Sequence, residues 1–431
     1  MLEFGMPVHE SWNIVHIAMQ VPGSHQIYVA PDNCLRGVVM SAYEMDAGDR
    51  FSCVAVDERD LLTDSLETVT IEGCSEVIDE LIAGGNKPSV IFLFTVCSHR
   101  MLSCDFTYVF DTIRERYPDI ILAHGYMDCI SQKEEAFPDQ KLRREMYSFI
   151  PAKDPVRAVN LIGSEVTASA VNNDLLAIFS AADIPVRQLS GIRTFEGYMD
   201  LGNASLNICT YMAGDMGVSA FSERTGIPYL YALPFWDDRS LIDQLTRLKE
   251  MFPDQRLAVA VEGFLSDLDR VSASMLAEYR RFAEEIKGVP VAVDNLGCSC
   301  PFSLAFYLLE AGFDVRWVIS PGPMDHEMAI YQRLMDRYHI ISIDPADPAL
   351  RELSYRRSLI GESERILASG PRAAWIFDSP YFVDMIEDDG AFGIAGRRAL
   401  LMKLREAMAN PKDTAAIIRK KARGLISCIA Q

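Results

Sequence analysis

The chemistry this chain could carry is concentrated in cysteines that stand at the ends of apolar runs. In Ser89 to Phe106, SVIFLFTVCSHRMLSCDF, an almost unbroken apolar run ends at Cys97, and some sixty residues earlier HQIYVAPDNCLRGVVM repeats the arrangement with Cys34. A thiol just past the carboxyl end of a strand lies where open α/β sheets hold their ligands. Two such thiols from neighbouring strands are half of an iron–sulfur ligand set, whereas one alone reads more simply as a buried structural thiol. Cys209, in LNICTY, and Cys298 and Cys300, after the run VPVAVDNLG, follow the same rule. They are candidates for a second site. A C-x-C pair is a weak metal signal by itself, so pocket or core thiols stay open as the alternative. His9 and His16 could approach the first sheet and are weaker candidate ligands.

The elements that must position these thiols read as α/β. Val90 to Val96 has the continuous apolar character of a parallel strand buried on both faces. Asp105 to Arg116 has helical period, with Phe106, Val109, Phe110 and Ile113 on one face. Before them come a strand at His25 to Ala30, the helical LRGVVMSAYEM, a short strand at Arg50 to Val56, and SEVIDELI as a helix capped by Ser75 and closed by Gly84-Gly85. Another strand is expected at Ile120 to His124. Ser131 to Lys153, charged and interrupted by prolines, reads as a boundary.

A second unit then runs through VNLIGS, NDLLAIFSAADI, PVRQLSG, LNICTY, MGVSAFSERTG and IPYLYALPF, strands alternating with helices at short spacing. Charged helices from Asp238 to Gly288 bridge to a third unit, VPVAVDN, FSLAFYLLEAG, DVRWVIS, HIISID and AAWIFDS, the last three read as strands. A final helix at Arg397 to Ala409 precedes a basic tail, RKKARG. The expected fold is three consecutive Rossmann-like, doubly wound parallel-sheet domains, at residues 1–155, 156–287 and 288–431.

Composition narrows the function. A chain of 431 residues exceeds what one core usually serves. A formal charge of −20 argues against nucleic acid and anionic membrane, and leaves open a docking partner with a positive patch. No apolar run reaches the roughly 18 residues of a membrane span, and the first twenty residues lack a signal-peptide core, so a cytoplasmic location is expected. In that reducing compartment, ten cysteines are thiols or metal ligands rather than disulfides. No G-x-G-x-x-G follows a strand and no Gly-Lys dipeptide occurs, so no nucleotide is expected by the usual fingerprints.

With three such units and cysteines at strand ends, the sequence resembles the nitrogenase component 1 superfamily. That group comprises the dinitrogenase subunits, their cofactor scaffold, the dark-operative protochlorophyllide and chlorophyllide reductases and the nickel-tetrapyrrole reductive cyclase. Carriers of the likeness, in the family's order, are IFLFTVCSHRMLSCDF with Asp105 eight positions after Cys97, VNLIGS, ASLNICTYMAG with ERTGIPYL, and EDDGAFGIAGRRALLMKLREAMANP. The resemblance implies that Cys34 and Cys97 hold a cluster at a subunit interface. The family's further cysteine, about 25 positions before Cys34, is replaced by the stretch Val8, His9, Glu10. Two thiolates per chain suit a four-iron cluster (4Fe-4S) shared across a dimer, with His9 as a variant extra ligand.

By the same resemblance, a pocket lies between the three units. Cys209 falls near the thiolate that anchors the dinitrogenase cofactor, and GCSCP on a pocket loop. MIEDD, where that cofactor's imidazole ligand would fall, has no His, so an iron–molybdenum cofactor and nitrogen fixation are not expected. An organic substrate or a different metal centre on Cys209, Cys298 and Cys300 would take its place. The implied activity is the catalytic component of a two-component, ATP-dependent, low-potential reductase, working with a separate P-loop iron–sulfur ATPase. A non-catalytic scaffold for metal-cofactor or tetrapyrrole assembly, and a soluble metal- or ligand-binding protein, are the alternatives. The dimer is either a homodimer or a paralogous heterodimer.

Overall fold

The structure is a computed structural model that describes residues 14–57, 59–60, 65–127, 136–360 and 365–413. His9 and the basic tail RKKARG lie outside the described residues. Three four-stranded sheets follow one another along the chain, and every strand pair in them is parallel. The first holds β1 (Ser24–Ala30), β2 (Phe51–Ala55), β3 (Val90–Val96) and β4 (Ile121–Met127), in the order β2-β1-β3-β4. The second holds β5 (Val159–Ile162), β6 (Val186–Gln188), β7 (Leu206–Cys209) and β8 (Tyr229–Tyr231), in the order β6-β5-β7-β8. The third holds β9 (Pro290–Asp294), β10 (Asp314–Ile319), β11 (Ile341–Ile343) and β12 (Leu367–Ala368), in the order β11-β10-β9-β12. This is the Rossmann-like, doubly wound architecture expected three times over.

In each sheet the strand order reverses direction once: between β1 and β3, between β5 and β7, and between β9 and β12. The connections leaving such a pair run to opposite faces and open a crevice at the strands' carboxyl ends.

The sheets are not separate bodies. One apolar core runs from a face of the first sheet (Tyr28, Phe92, Phe94) through the helix Pro138–Ser148 (Leu142, Met146) to the second sheet (Ile162, Cys209). A second core joins the second sheet (Val159, Leu206) to the third (Val291, Val318) through the helices Asp238–Met251 and Leu268–Glu285.

Four local features differ from the sequence pattern. The helix expected at Ser75 begins nearly three turns earlier, as Leu66–Ala83, with Ser65 as the cap accepting from the Thr68 N–H; Ser75 is interior and donates to the Ile71 carbonyl. AAWIFDS is helical, Pro371–Phe377, because Pro371 takes the first-turn position and the segment is buried all round, which removes the periodicity that separates helix from strand. Cys97 opens a five-residue helix, Cys97–Met101, ahead of the expected Phe106–Arg116. The stretch read as a boundary contains the helix Pro138–Ser148, whose buried face is Leu142, Arg143, Met146 and Tyr147.

Candidate functional site

The first crevice holds the two thiols. β1 and β3 pair from Ser24 opposite Val90 to Tyr28 opposite Phe94, which brings their ends, Ala30 and Val96, level. Beyond these ends Cys97 starts its short helix and Cys34 sits in the first turn of the helix Asp32–Glu44, its N–H bonded to the Pro31 carbonyl at 2.8 Å. Cys34 is exposed and Cys97 half-buried. The two thiols thus stand near the surface at adjacent strand ends, on connections whose following helices pack on opposite faces of the first sheet.

The other expected thiols are packed differently. Cys209 ends β7, is fully buried in the core shared by the first two sheets, and its S–H donates to the Tyr211 carbonyl at 3.1 Å. Burial pushes that thiol up to about 12. Cys298 belongs to the core that joins the second and third sheets and accepts from the Trp236 indole N–H at 3.4 Å. Cys300 meets His326 Nε2 at 3.8 Å. Burial raises the Cys298 and Cys300 thiols well above their ordinary value too. Among the described residues, no group of three or more His, Cys, Asp or Glu is placed to hold a metal ion. The metal centre considered for Cys209, Cys298 and Cys300 is therefore not assembled: the strand ends that carry them feed two different cores.

What fills the second crevice is ionic. Val159 to Ile162 of β5 lies opposite Leu206 to Cys209 of β7, and the chain leaves β5 through Gly163, Ser164 and Glu165. Gly163 has φ +96°, and a Cβ there would sit 3.0 Å from the Cys209 sulfur, so the turn requires glycine. Arg143, buried on the helix Pro138–Ser148, reaches into this turn. Its guanidinium bonds Asp139 at 2.8 Å and Glu165, and lies 5.7 Å from the Tyr211 ring centre. The helix Asp215–Thr225 can pack this closely because Gly217 faces Arg143, where a Cβ would stand 2.8 Å from the Arg143 backbone. From the third unit, Glu387 accepts from Ser164 Oγ at 2.5 Å, across 223 residues of sequence.

The segment bearing Glu387 is strained. Glu387, Asp388 and Asp389 all have φ between +47° and +58°, a region that side-chain-bearing residues seldom occupy. Hydrogen bonds from the Glu387 and Asp388 N–H groups to the Leu296 and Gly297 carbonyls, both 3.0 Å, hold it there. Such strain is characteristic of residues held for function. Asp388 accepts from the Ser299 N–H at 2.9 Å and from its hydroxyl, and burial pushes its carboxyl up to about 6. Burial also disfavours the Arg143 charge, but Glu165, Asp139 and Glu387 hold that guanidinium above its ordinary value.

Two cavities meet this cluster. The larger, about 680 Å³, lies between the first and second units, with Ser24, His25, Arg50 and Lys87 on one side and Glu165, Ser190 and Arg193 on the other. It opens at the carboxyl ends of β5 and β6 but at the amino ends of β1 and β3. Those seven-residue strands separate it from the Cys34–Cys97 crevice by roughly 20 Å. The smaller, about 20 Å³, is lined by Ser164, Ser190, Thr210, Glu387 and Asp388 and has room for one water.

At the third crevice the protein supplies its own carboxyl group. Asp294, buried at the end of β9, accepts from the Gly297 N–H and from the Ala373 N–H in the first turn of Pro371–Phe377, both at 2.7 Å. Gly370 passes so close that a Cβ would fall 2.3 Å from the same carboxylate.

Sequence reasoning missed Arg143, Ser164, Glu165 and Glu387. The rule that singled out Cys97, a polar residue directly after an apolar strand, would have found Ser164 and Glu165 after VNLIG. Among the described residues no helix is long and apolar enough to cross a membrane.

A family model for nitrogenase component 1 type oxidoreductases matches residues 15–355. No match is found among curated proteins. Solved structures with the same fold include nitrogenase Cp1 at pH 6.5, with a TM-score of 0.67 at 13% identity over 95% of this chain and 93% of that one. Nitrogenase Cp1 at pH 5 gives 0.62 at 12% identity over 92% and 87% of the two chains. These two likenesses concern the fold, while the family match spans most of the chain and includes the first two sheets and both crevice thiols. The chain belongs to the nitrogenase component 1 type oxidoreductase family.

Proposed function

We propose that this chain is the catalytic component of a two-component, ATP-dependent, low-potential reductase that acts on a small organic substrate. The observation that carries the reading is the pair Cys34 and Cys97 at the carboxyl ends of adjacent strands, one exposed and one half-buried, at the reversal point of the first sheet. Open thiols at such a crevice fit a surface cluster better than a packing role. Two thiols per chain are half of a four-iron set, so Cys34 and Cys97 would hold a 4Fe-4S cluster together with the same pair from a second chain. Bound there, the cluster supplies one-electron chemistry at low potential.

The rest falls to the chain's own side chains. The larger cavity, about 680 Å³, is of the size that holds a small molecule. Arg50, Lys87 and Arg193 in its wall offer positive charge, and Glu165 a carboxylate, to orient a polar substrate. Since nucleotide fingerprints are absent from the sequence, ATP hydrolysis belongs to a separate P-loop iron–sulfur partner, and the charge of −20 provides an electrostatic share in docking it.

Protein prepared without oxygen is expected to carry about two irons per chain, and Cys34→Ala or Cys97→Ala to lose them. Full iron retention in either variant sinks the assignment. Substrate reduction that requires both ATP and an added iron–sulfur ATPase would separate the reductase from an assembly scaffold, which would bind iron without turnover.

A further inference from the structure

Three carboxyl groups, Asp139, Glu165 and Glu387, surround the buried Arg143 guanidinium. Arg143 bonds two of them, Asp139 at 2.8 Å and Glu165. Glu387 has the Ser164 hydroxyl instead, at 2.5 Å. Fully ionised, the group would set three negative charges against one positive with little access to water, an arrangement that a single proton relieves. Glu165 has a place for that proton. Its Oε1 accepts from Arg143, while its Oε2 is buried without a hydrogen-bond partner. The two carboxyls also join the cavities: Glu165 lines the larger, Glu387 and Ser164 line the water-sized one, and Ser190 is in the wall of both.

We propose that Glu387 and Glu165 share one proton and pass it from the small cavity to a ligand in the large one. The ligand in this statement rests on the reductase reading; the shared proton does not. In the transfer, the O–H bond of Glu387 breaks as one forms on Glu165 Oε2. Glu165, whose side chain is 14% exposed on the large cavity, then turns its carboxyl toward it and yields the proton to a ligand atom that has gained an electron from the separate iron–sulfur reductase, one proton for each electron. A solvent proton, entering through the water of the small cavity, restores Glu387. Ser164, donating to Glu387 Oε2, leaves Oε1 for the exchanging proton. Once a ligand displaces water from the large cavity, Glu165 is cut off from bulk protons on that side and Glu387 is the reservoir behind it.

The surroundings favour this arrangement. Burial and then the Glu165 carboxylate push Glu387 well above the carboxylate range, against the pull of Arg143 and Ser164. Tyr211, the other ionisable group facing Glu387, is raised by burial and by Glu387 itself, so it stays a neutral phenol. The left-handed backbone of Glu387, pinned to the Leu296 carbonyl, fixes how far its carboxyl reaches.

Infrared difference spectroscopy on the intact chain tests the pair without any turnover. At mildly alkaline pH, wild type should show a protonated-carboxyl C=O band that Glu387→Gln lacks. In Glu165→Gln the band should persist but disappear at a pH lower by about one unit or more, because the neighbouring negative charge that retains the proton is gone. No band difference between wild type and a Glu387→Gln protein with unchanged circular dichroism overturns the proposal, and so does an unmoved midpoint in Glu165→Gln. If Glu387→Gln does not fold, the Glu165→Gln midpoint decides alone. A protein that binds no iron but keeps the band and its shift would refute the reductase and leave the pair standing.

Discussion

At the reversal point of the first sheet, two thiols stand near solvent, and the helix Asp32–Glu44 that carries Cys34 is largely exposed over its first two turns. At the same topological position in the second sheet the groups that could do chemistry are ionisable and enclosed: Arg143 and Asp388 are buried, and Glu165 and Glu387 are half-buried beside them. Both crevices arise from one strand order, so topology decides where side chains converge and not what they do there. Exposure decides the energetics. The thiols of the first crevice are reachable by a partner and cost the fold little, whereas the ions of the second are held by one another and are part of what keeps the first two units together.

That contrast breaks most readily at Arg143. Arg143→Met would leave Asp139, Glu165 and Glu387 buried with their shared guanidinium gone, and a loss of about 3–5 kcal/mol in urea unfolding is expected. A loss below about 1 kcal/mol would mean that the carboxyls simply take up protons and that the ionic description of this crevice is wrong.

Asp388 gives a pH-dependent measure of the same crevice. Its carboxyl is pushed from 3.8 up to about 6 by burial. Between those values the native state holds a proton that the unfolded chain has released, so this contribution is complete below the lower value. It is lost as pH rises through about 6, by up to about 3 kcal/mol. Asp388→Asn keeps an acceptor for Ser299 and cannot ionise. Wild-type stability should therefore fall relative to the variant as pH rises, read from unfolding midpoints at several pH values. A constant difference would show that Asp388 ionises freely. The smallest effect belongs to the first crevice: in cluster-free protein, Cys34→Ser should change stability by no more than about 0.5 kcal/mol. A larger cost would make Cys34 a packing residue after all.

Much of the architecture is legible from the sequence because its strands are short apolar runs closed by turn residues. Val90 to Val96 and the Gly226 that ends the helix Asp215–Thr225 are read directly. AAWIFDS is not, since a segment buried on all sides has no polar face to set a period. The thiol crevice is legible too, because each cysteine lies a few residues past its own strand. The ionic crevice is not: Ser164 and Glu387 are 223 residues apart, and no local spacing announces their meeting. Arg143 is hidden for another reason. It lies in the charged, proline-bracketed stretch KLRREMYS, where a buried guanidinium looks like one more solvated charge until its partners from distant segments are known.

The Asp294 carboxylate has a consequence for occupancy. Tethered to the end of β9 and already bonded to the Gly297 and Ala373 N–H groups, it acts at an effective concentration that a free phosphate or carboxylate metabolite in solution does not match. The third crevice is in that sense a lock with its key built in. Of the three crevices, the second and third are filled by the chain's own side chains, and the first presents its thiols to solvent.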